Sequence, residues 1–522
     1  MYKYSIYFAQ YRLRDYERYL AVKEFENQFP IIKDFTVKTK CIELKTPNLI
    51  NEEKIKKLTF FCKYQILDGE TKTEQLTYQT IAENYTDDPQ KLLQSLENNK
   101  SRNIRYLTHS FHEYKGRFYP QLAKSLMNYA GIDKGKTILD PFCGSGTTLV
   151  ESLLFGVNAI GIDINPIAHL LAKAKVRCLL LKPRDFEVLR HSFVPRLKNA
   201  DWENNTIDNY KDSLEFEYLK RWFPLNNLKQ IIKIQTIIKT LENVDEQLFA
   251  KVTLSNLLRD YSYQDPSQLR IRIRKDNPPE NLIEKYIENF LKQINDLEKY
   301  NSLNKLELTS NIQTYLGDVR TLDKTIGIKP HTIDLVITSP PYATALPYID
   351  TDRLSLYVFG FVNKNNFREL EESLIGNREI TKTKREQLDK ELESNFQDSI
   401  LPKEIIDLLK YIYFLNKNSD VGFRRKNTAA LLYKYFYDMN TSLYQISKSL
   451  KKKSMAFFVV GDNKTRASDE NITIPTADFI SLIAKNNKFE LVEKIDLSVQ
   501  KSYSIHSKNS INTESVLVFQ RR

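Results

Sequence analysis

Two short stretches hold residue types and spacings that could do chemistry. The first is Thr137–Thr148, read TILDPFCGSGTT; the second is Thr338–Tyr342, read TSPPY. In the first, an apolar run enters Asp140, then a turn with Gly144 and Gly146, then a helix opened by Thr147 and Thr148. Glycines placed between a strand and a helix let the backbone approach a ligand closely. The helix N-terminus beyond them favours a negative group. Asp163 ends the next apolar run, roughly twenty residues on, where a ribose-binding carboxylate belongs in such a unit. The third glycine of the dinucleotide pattern is missing, and Leu149 stands in its place. That favours a nucleoside ligand with a small anionic group over a pyrophosphate.

The second stretch could present an acceptor surface. Pro340 and Pro341 lock the backbone, so a carbonyl is held without help from neighbours. Ser339 adds a hydroxyl, and Tyr342 adds a flat ring on which a base can stack. Together they could take two hydrogen bonds from an exocyclic amino group while holding its ring against an aromatic face.

The elements that position these residues read as alternating strands and helices. Thr137–Leu139, a helix over Thr147–Phe155, Ala159–Ile162 and a helix over Ile167–Val176 form a β-α-β unit, the building block of a doubly wound parallel sheet. The sheet resumes at Tyr315–Gly317, Asp318 and Ile333–Thr338. It closes with a long helix over Thr428–Leu450 and strands at Met455–Val460, Phe489–Ser498 and Ser515–Arg521. The expected fold is α/β, a Rossmann-like sheet with a largely helical insertion and a small N-terminal α+β region. The expected boundaries are an N-terminal region at 1–100, the cofactor half at 101–184, the helical insertion at 185–310 and the catalytic half at 311–362. A second, mobile insertion follows at 363–427, and the closing helix and strands at 428–522. A short helix is expected at Asp88–Leu96. Within the helical insertion, Leu269–Lys275 alternates, which puts Arg270, Arg272 and Arg274 on one face of a strand. That face is either a phosphate-contacting stripe or the solvated side of a hairpin. Arg424 and Arg425 close the second insertion and are further candidates for phosphate contact.

Composition sets the frame. The chain has 522 residues, 41% of them hydrophobic, and a formal charge of +12. The charge suits a polyanion partner, although a Lys-, Asn- and Ile-rich chain of this kind carries such a charge without one. The four cysteines, Cys41, Cys62, Cys143 and Cys178, form no CxxC pair, which fits a reducing cytoplasm rather than a disulfide framework or a zinc site. No apolar run is long enough to span a membrane, and no secretory leader opens the chain. His109 and His112 lie three apart with no third ligand nearby, so no metal is expected there.

The two stretches together resemble the S-adenosylmethionine-dependent amino-methyltransferases of DNA. DPFCGSGTT is similar to the family's cofactor loop, TSPPY to its catalytic loop, and HEYKGRFYPQLA to the motif that flanks the cofactor when the cofactor loop comes first. The likeness covers roughly 105–180, 312–360 and 430–522. It implies that Asp140, Phe142, Gly144 and Gly146 line the methionine end of S-adenosyl-L-methionine, with Thr147 or Thr148 near its carboxylate and Phe118 against the cofactor. Asp163 would hold the ribose and Asp318 the adenine amino group. Ser339, Pro340 and Tyr342, on a loop stiffened by Pro341, would hold the target base. The partner implied is double-stranded DNA with its target base flipped out, alongside a separate restriction endonuclease or other defence component. SPPY in place of DPPY or NPPY resembles cytosine-N4 members more often than adenine-N6 members. A tRNA guanine-N2 methyltransferase, a protein that keeps the fold without catalysis, and a Rossmann dehydrogenase are the competing readings. The last explains nothing about SPPY.

Overall fold

The apolar runs on either side of the glycine turn pair as parallel strands, because strands covered on both faces need near-continuous hydrophobic sequence. The computed structural model describes residues 1–67, 69–83, 102–116, 119–199, 214–268, 271–303, 308–343, 349–394, 400–498 and 513–522. The central sheet has seven strands: β6 (Thr137–Asp140), β7 (Asn158–Asp163), β8 (Ile312–Leu316), β9 (Ile333–Thr338), β10 (Leu450–Gly461), β13 (Phe489–Ser498) and β14 (Thr513–Arg521). Their order is β13-β14-β10-β9-β6-β7-β8. Neighbours from β8 through β10 are parallel, and β14 runs antiparallel to both β10 and β13. This is the doubly wound, Rossmann-like sheet expected from the sequence. From β6 the chain builds outward through β7 and β8, then returns to lay β9 on the other side of β6. That reversal opens a crevice at the carboxyl ends of β6 and β9, where such sheets bind ligands.

The N-terminal region forms a second, antiparallel sheet of β1 (Tyr2–Phe8), β2 (Phe35–Val37), β3 (Cys41–Thr46), β4 (Phe61–Ile66) and β5 (Gly69–Lys72), ordered β2-β3-β1-β4-β5. Its helix Asp15–Gln28 packs on the core helix Pro120–Tyr129. Tyr129 donates its hydroxyl to Glu493 of β13 at 2.8 Å, and Tyr19 bonds the same carboxylate. A small hairpin of β11 (Asn463–Ala467) and β12 (Glu470–Ile474) follows β10.

Between β7 and β8 lie helices Leu214–Trp222, Leu225–Ile238, Val244–Leu258 and Leu282–Leu303. Arg177, at the end of helix Pro166–Cys178, grips Asp245 with two bonds of 2.8 and 2.6 Å and ties this layer to the sheet. The alternating stretch differs from expectation: Ile271–Lys275 forms no strand, only an isolated bridge between Gln264 and Ile273. Ile273 is 67% exposed, so the alternation finds no core to face, and a lone ribbon without a third strand is marginal. Leu269, Arg270 and the expected helix Asp88–Leu96 lie outside the described residues. Within 363–427, Leu392, Ile405, Leu409 and Ile412 are fully buried and share a core with helix Thr428–Ser449.

Two glycines explain how the cofactor loop fits so tightly. Gly146 caps helix Thr147–Phe155 with φ +82°, and a Cβ there would stand 2.8 Å from the Ala172 Cα of the neighbouring helix. The missing third glycine has moved to the strand: a Cβ on Gly161 of β7 would meet Leu149 Cδ1 at 2.4 Å. Leu149 therefore occupies the space that Gly161 leaves. Gly146→Ala combines a left-handed backbone with a backbone clash, whereas Gly135→Ala, at the same φ of +82° with nothing within 4 Å, suffers the first alone. In thermal or denaturant unfolding, G135A should lose about 1–2 kcal/mol, and G146A measurably more.

Candidate active site

The crevice at the switch point is a cleft of about 90 Å³. It is lined on one side by Phe142, Gly144 and Asp163, on another by Asp318, and across from these by Ser339, Pro340, Pro341 and Tyr342. Both candidate stretches thus face one space. Asp140, Gly146, Thr147 and Thr148 are buried behind it. Phe118 lies outside the described residues.

Asp140 ends β6 fully buried. Its Oδ1 accepts from Phe142 N at 3.2 Å and from the Thr338 hydroxyl, at the end of β9, at 2.7 Å. Burial pushes its carboxyl up to about 6, against the pull of Thr148, Thr338 and the Phe142 amide. Asp163 ends β7. Its Oδ2 accepts from Gly144 N at 2.9 Å and its Oδ1 from Asn165 N at 2.8 Å. These backbone donors offset only part of the burial penalty, and this carboxyl too is pushed up to about 6. A half-buried carboxylate facing an open cleft is suited to accept from a diol. Gly144, at φ +49°, brings its backbone under Tyr114, whose Cε1 would stand 3.3 Å from a Cβ there. Cys143 is buried in the same turn, and burial lifts its thiol well above the usual range, so it is not poised as a nucleophile.

Asp318 caps the short turn after β8 and is gripped by a residue the sequence motifs do not reveal. Arg320 donates Nε to Asp318 Oδ1 and Oδ2 at 3.0 and 2.9 Å and Nη2 to Oδ2 at 2.6 Å. Its Nη1 also reaches buried Asp438 at 2.9 Å, and Nη2 reaches the Ser373 carbonyl at 2.6 Å. The SPPY loop is braced on three sides. Tyr342 donates to Glu514 Oε1 at 3.0 Å, Asn463 bonds the Ala343 carbonyl, and Gly376, at φ +78°, lies so close that a Cβ would meet Tyr342 O at 3.0 Å. Burial raises the Glu514 carboxyl, which the Tyr342 hydroxyl partly offsets. Tyr114 lies within the flanking motif HEYKGRFYPQLA but is not singled out there; Arg320, Gly376 and Glu514 carry no motif of their own and gain their place from contacts the fold supplies.

His109 and His112 take structural partners. His109 Nε2 lies 2.8 Å from Glu151 Oε1, which also accepts from the Tyr106 hydroxyl at 2.8 Å, and His112 Nε2 lies 3.0 Å from Ser255 Oγ. The first contact fastens the segment before the cofactor loop to the helix after it. Among the described residues no cluster of three or more His, Cys, Asp or Glu side chains could hold a metal ion. Nor is any helix of the described residues long and apolar enough to cross a membrane.

The sequence profile of the UPF0020, RMKL-like methyltransferase domain matches residues 109–184, the half of the core that carries the glycine turn and Asp163. The Type II methyltransferase M.MvaI of Kocuria varians is 24% identical over 402 residues, spanning 73% of this chain and 82% of its own. The Type II methyltransferase M.BsoBI of Geobacillus stearothermophilus is 25% identical over 472 residues, spanning 79% and 84%. The tRNA (guanine(10)-N2)-dimethyltransferase of Methanothermobacter thermautotrophicus is 46% identical, but over 52 residues, 10% of this chain and 16% of its own. With the sheet order and the cleft, these matches make the chain a methyltransferase whose methyl donor is S-adenosylmethionine.

A pH dependence follows from Asp163. If Asp163 holds the ribose, the hydroxyl donors would favour its ionised form and lower a carboxyl pKa that burial has raised to about 6. Binding then expels a proton below about pH 6 and is proton-neutral above it. Calorimetric titration should find cofactor affinity flat from about pH 7 upward and weakening by up to about tenfold per pH unit below 6. Asp163→Asn should reduce the slope as well as weaken binding, any remainder belonging to Asp140, which is also raised to about 6.

Proposed function

We propose that the protein transfers a methyl group from S-adenosylmethionine to the exocyclic amino group of a base flipped out of double-stranded DNA, cytosine N4 being favoured over adenine N6. The observation that carries this reading is the meeting of Ser339, Pro340 and Tyr342 with Gly144, Asp163 and Asp318 in one cleft. The extent of similarity supports it too: the two Type II methyltransferases align along most of this chain, the tRNA enzyme along a tenth of it. The serine of SPPY is the ground for preferring cytosine. The helical layer between β7 and β8 is the proposed seat of target recognition. A separate endonuclease is a proposed partner, and the cytoplasm the proposed location.

The chemistry asked of these residues is mainly positioning, which can supply roughly 7–11 kcal/mol. When bound, the donor supplies an electrophilic methyl on a sulfonium. Asp163 would hold its ribose, Asp318 would meet its adenine amino group, and Gly144 would allow its close approach. On the acceptor side, the Ser339 hydroxyl and the Pro340 carbonyl take the two N–H bonds of the amine. That draws a conjugated, poorly nucleophilic nitrogen toward a pyramidal form with a directed lone pair. Tyr342 stacks on the base, its ring held by Glu514. The N–C bond forms as the C–S bond breaks, the electron pair leaves with sulfur, and the surplus proton passes to water.

Ser339→Ala should lower kcat about 10- to 100-fold, the worth of one strengthened hydrogen bond, and leave cofactor affinity within twofold. Unchanged methyl transfer would remove Ser339 from the site. The arginines divide by their surroundings. Arg274 is engaged by Asp276 at 3.1 and 2.7 Å and by the Asp260 carbonyl at 2.9 Å, whereas Arg272 is exposed. Arg425 bonds the Ser468 carbonyl at 3.1 Å, and Arg424 is exposed. Alanine at 270, 272 and 274 together should reduce the dependence of log K on log salt by up to about 0.9 for each phosphate no longer neutralised. Of the two described arginines, Arg272 should contribute more than Arg274. An unchanged slope takes the three out of the interface.

A further inference from the structure

A second cavity, of about 190 Å³, adjoins the methyl-transfer cleft. The two share a wall: Tyr114 and Gly116 face the cleft, while His112, Glu113 and Lys115 of the same strap face the second cavity. Its far walls are the end of helix Val244–Leu258 with the turn beyond it, and Thr351–Ser355, shortly after the SPPY loop in the chain. It therefore lies between the helical layer and the acceptor side of the site.

One wall residue is out of keeping with a settled interior. Gln264 is 0% exposed, yet neither its Oε1 nor its Nε2 has a hydrogen-bond partner among the described residues. Its backbone is not slack: it forms the bridge to Ile273, and its N–H donates to Ser262 Oγ at 3.1 Å. Buried amides are normally paired, and leaving both ends unpaired is costly. Asp352 Oδ2 and Arg259 Nε, on the same cavity, are likewise buried and unpartnered among the described residues. On the opposite wall His112 Nε2 lies 3.0 Å from Ser255 Oγ, and Ser255 Oγ lies 2.8 Å from Ser355 Oγ. The idle hydrogen-bonding capacity is thus gathered at Gln264, Arg259 and Asp352.

The charges select the class of occupant. Arg105, Lys115 and Arg259 stand against Glu113, Asp260 and a partly protonated Asp352, so the cavity offers a phosphate little net attraction. It suits a neutral group presenting a donor and an acceptor side by side, as the edge of a nucleobase does. A glutamine carboxamide pairs in two-pronged fashion with N6 and N7 of adenine. Burial pushes the Asp352 carboxyl up to about 7, so near neutral pH it can serve a base edge as donor or acceptor. The geometry points to this cavity as the reader of a second base adjoining the methylation target, with the Gln264 carboxamide as the reading group and adenine as the base it matches. This rests on the DNA reading above.

The test is to methylate a pool of duplexes randomised around the target, sequence the methylated products, and compare wild type with Gln264→Leu and the isosteric Gln264→Glu. Cofactor affinity and unfolding temperature serve as checks on folding. The expected result is that wild type prefers adenine at one position, and that Q264L loses roughly 5- to 150-fold discrimination there while other positions and cofactor affinity stay unchanged. Q264E, which exchanges the amide donor for an acceptor, should shift the preference at the same position, and it decides the matter if Q264L does not fold. Wild-type preferences retained in both variants overturn the proposal alone and leave the cavity to water. A wild-type protein that methylates no duplex overturns the DNA reading together with it.

Discussion

The hydrogen bond from Thr338 to Asp140 joins the two strands that carry the glycine turn and the SPPY loop. It spans the switch point, 2.7 Å long and wholly buried, from the end of the catalytic strand to the end of the cofactor strand. At the other end of the same strand pair, Asp334 accepts from Thr137 N at 3.0 Å. Between these ties the strands keep register, Ile138 beside Leu335 and Leu139 beside Val336. The SPPY loop and the glycine turn are therefore projected from one rigid base, although the helical layer separates them in sequence. In-line transfer needs that fixed relation, since a displacement of about 1 Å can cost two orders of magnitude in rate.

The rest of the molecule supports this base from both sides. Arg320 gathers Asp318, Asp438 and the Ser373 carbonyl, so Asp318 is held through it by two helices from distant parts of the chain. Gly376 and Leu374, from the segment after the catalytic strand, close the cleft over Pro341 and Tyr342. Glu514 braces the tyrosine from the strand that runs against the others. The segment over 363–427 thus contributes a wall of the site as well as a packed helical layer.

How much of this was legible in the sequence depended on whether a signal was local. Strands with continuous apolar runs, the glycine turn, Asp163 and SPPY could be read because each is a short pattern with its own physical cause. The parallel sheet followed from their alternation with helices. Leu149, read as a missing glycine that favours a nucleoside ligand, packs into the space left by Gly161, which lies on another element and carries no local signature. The arginine alternation misled because period-two patterning marks a strand only when a core receives one face, and Ile273 faces solvent. Arg320, Glu514 and Gln264 were invisible for a shared reason: their meaning comes from the surroundings that the fold brings close to them.

Nucleoside mass spectrometry decides whether the protein methylates an exocyclic amine of a DNA base. Duplex DNA and, separately, tRNA would be incubated with the protein and S-adenosylmethionine, digested to nucleosides and analysed. The expected result is N4-methylcytosine from the DNA and no new methylated nucleoside from the tRNA. N6-methyladenine would contradict the choice of base. N2-methylguanosine from the tRNA with unmodified DNA would contradict the account itself.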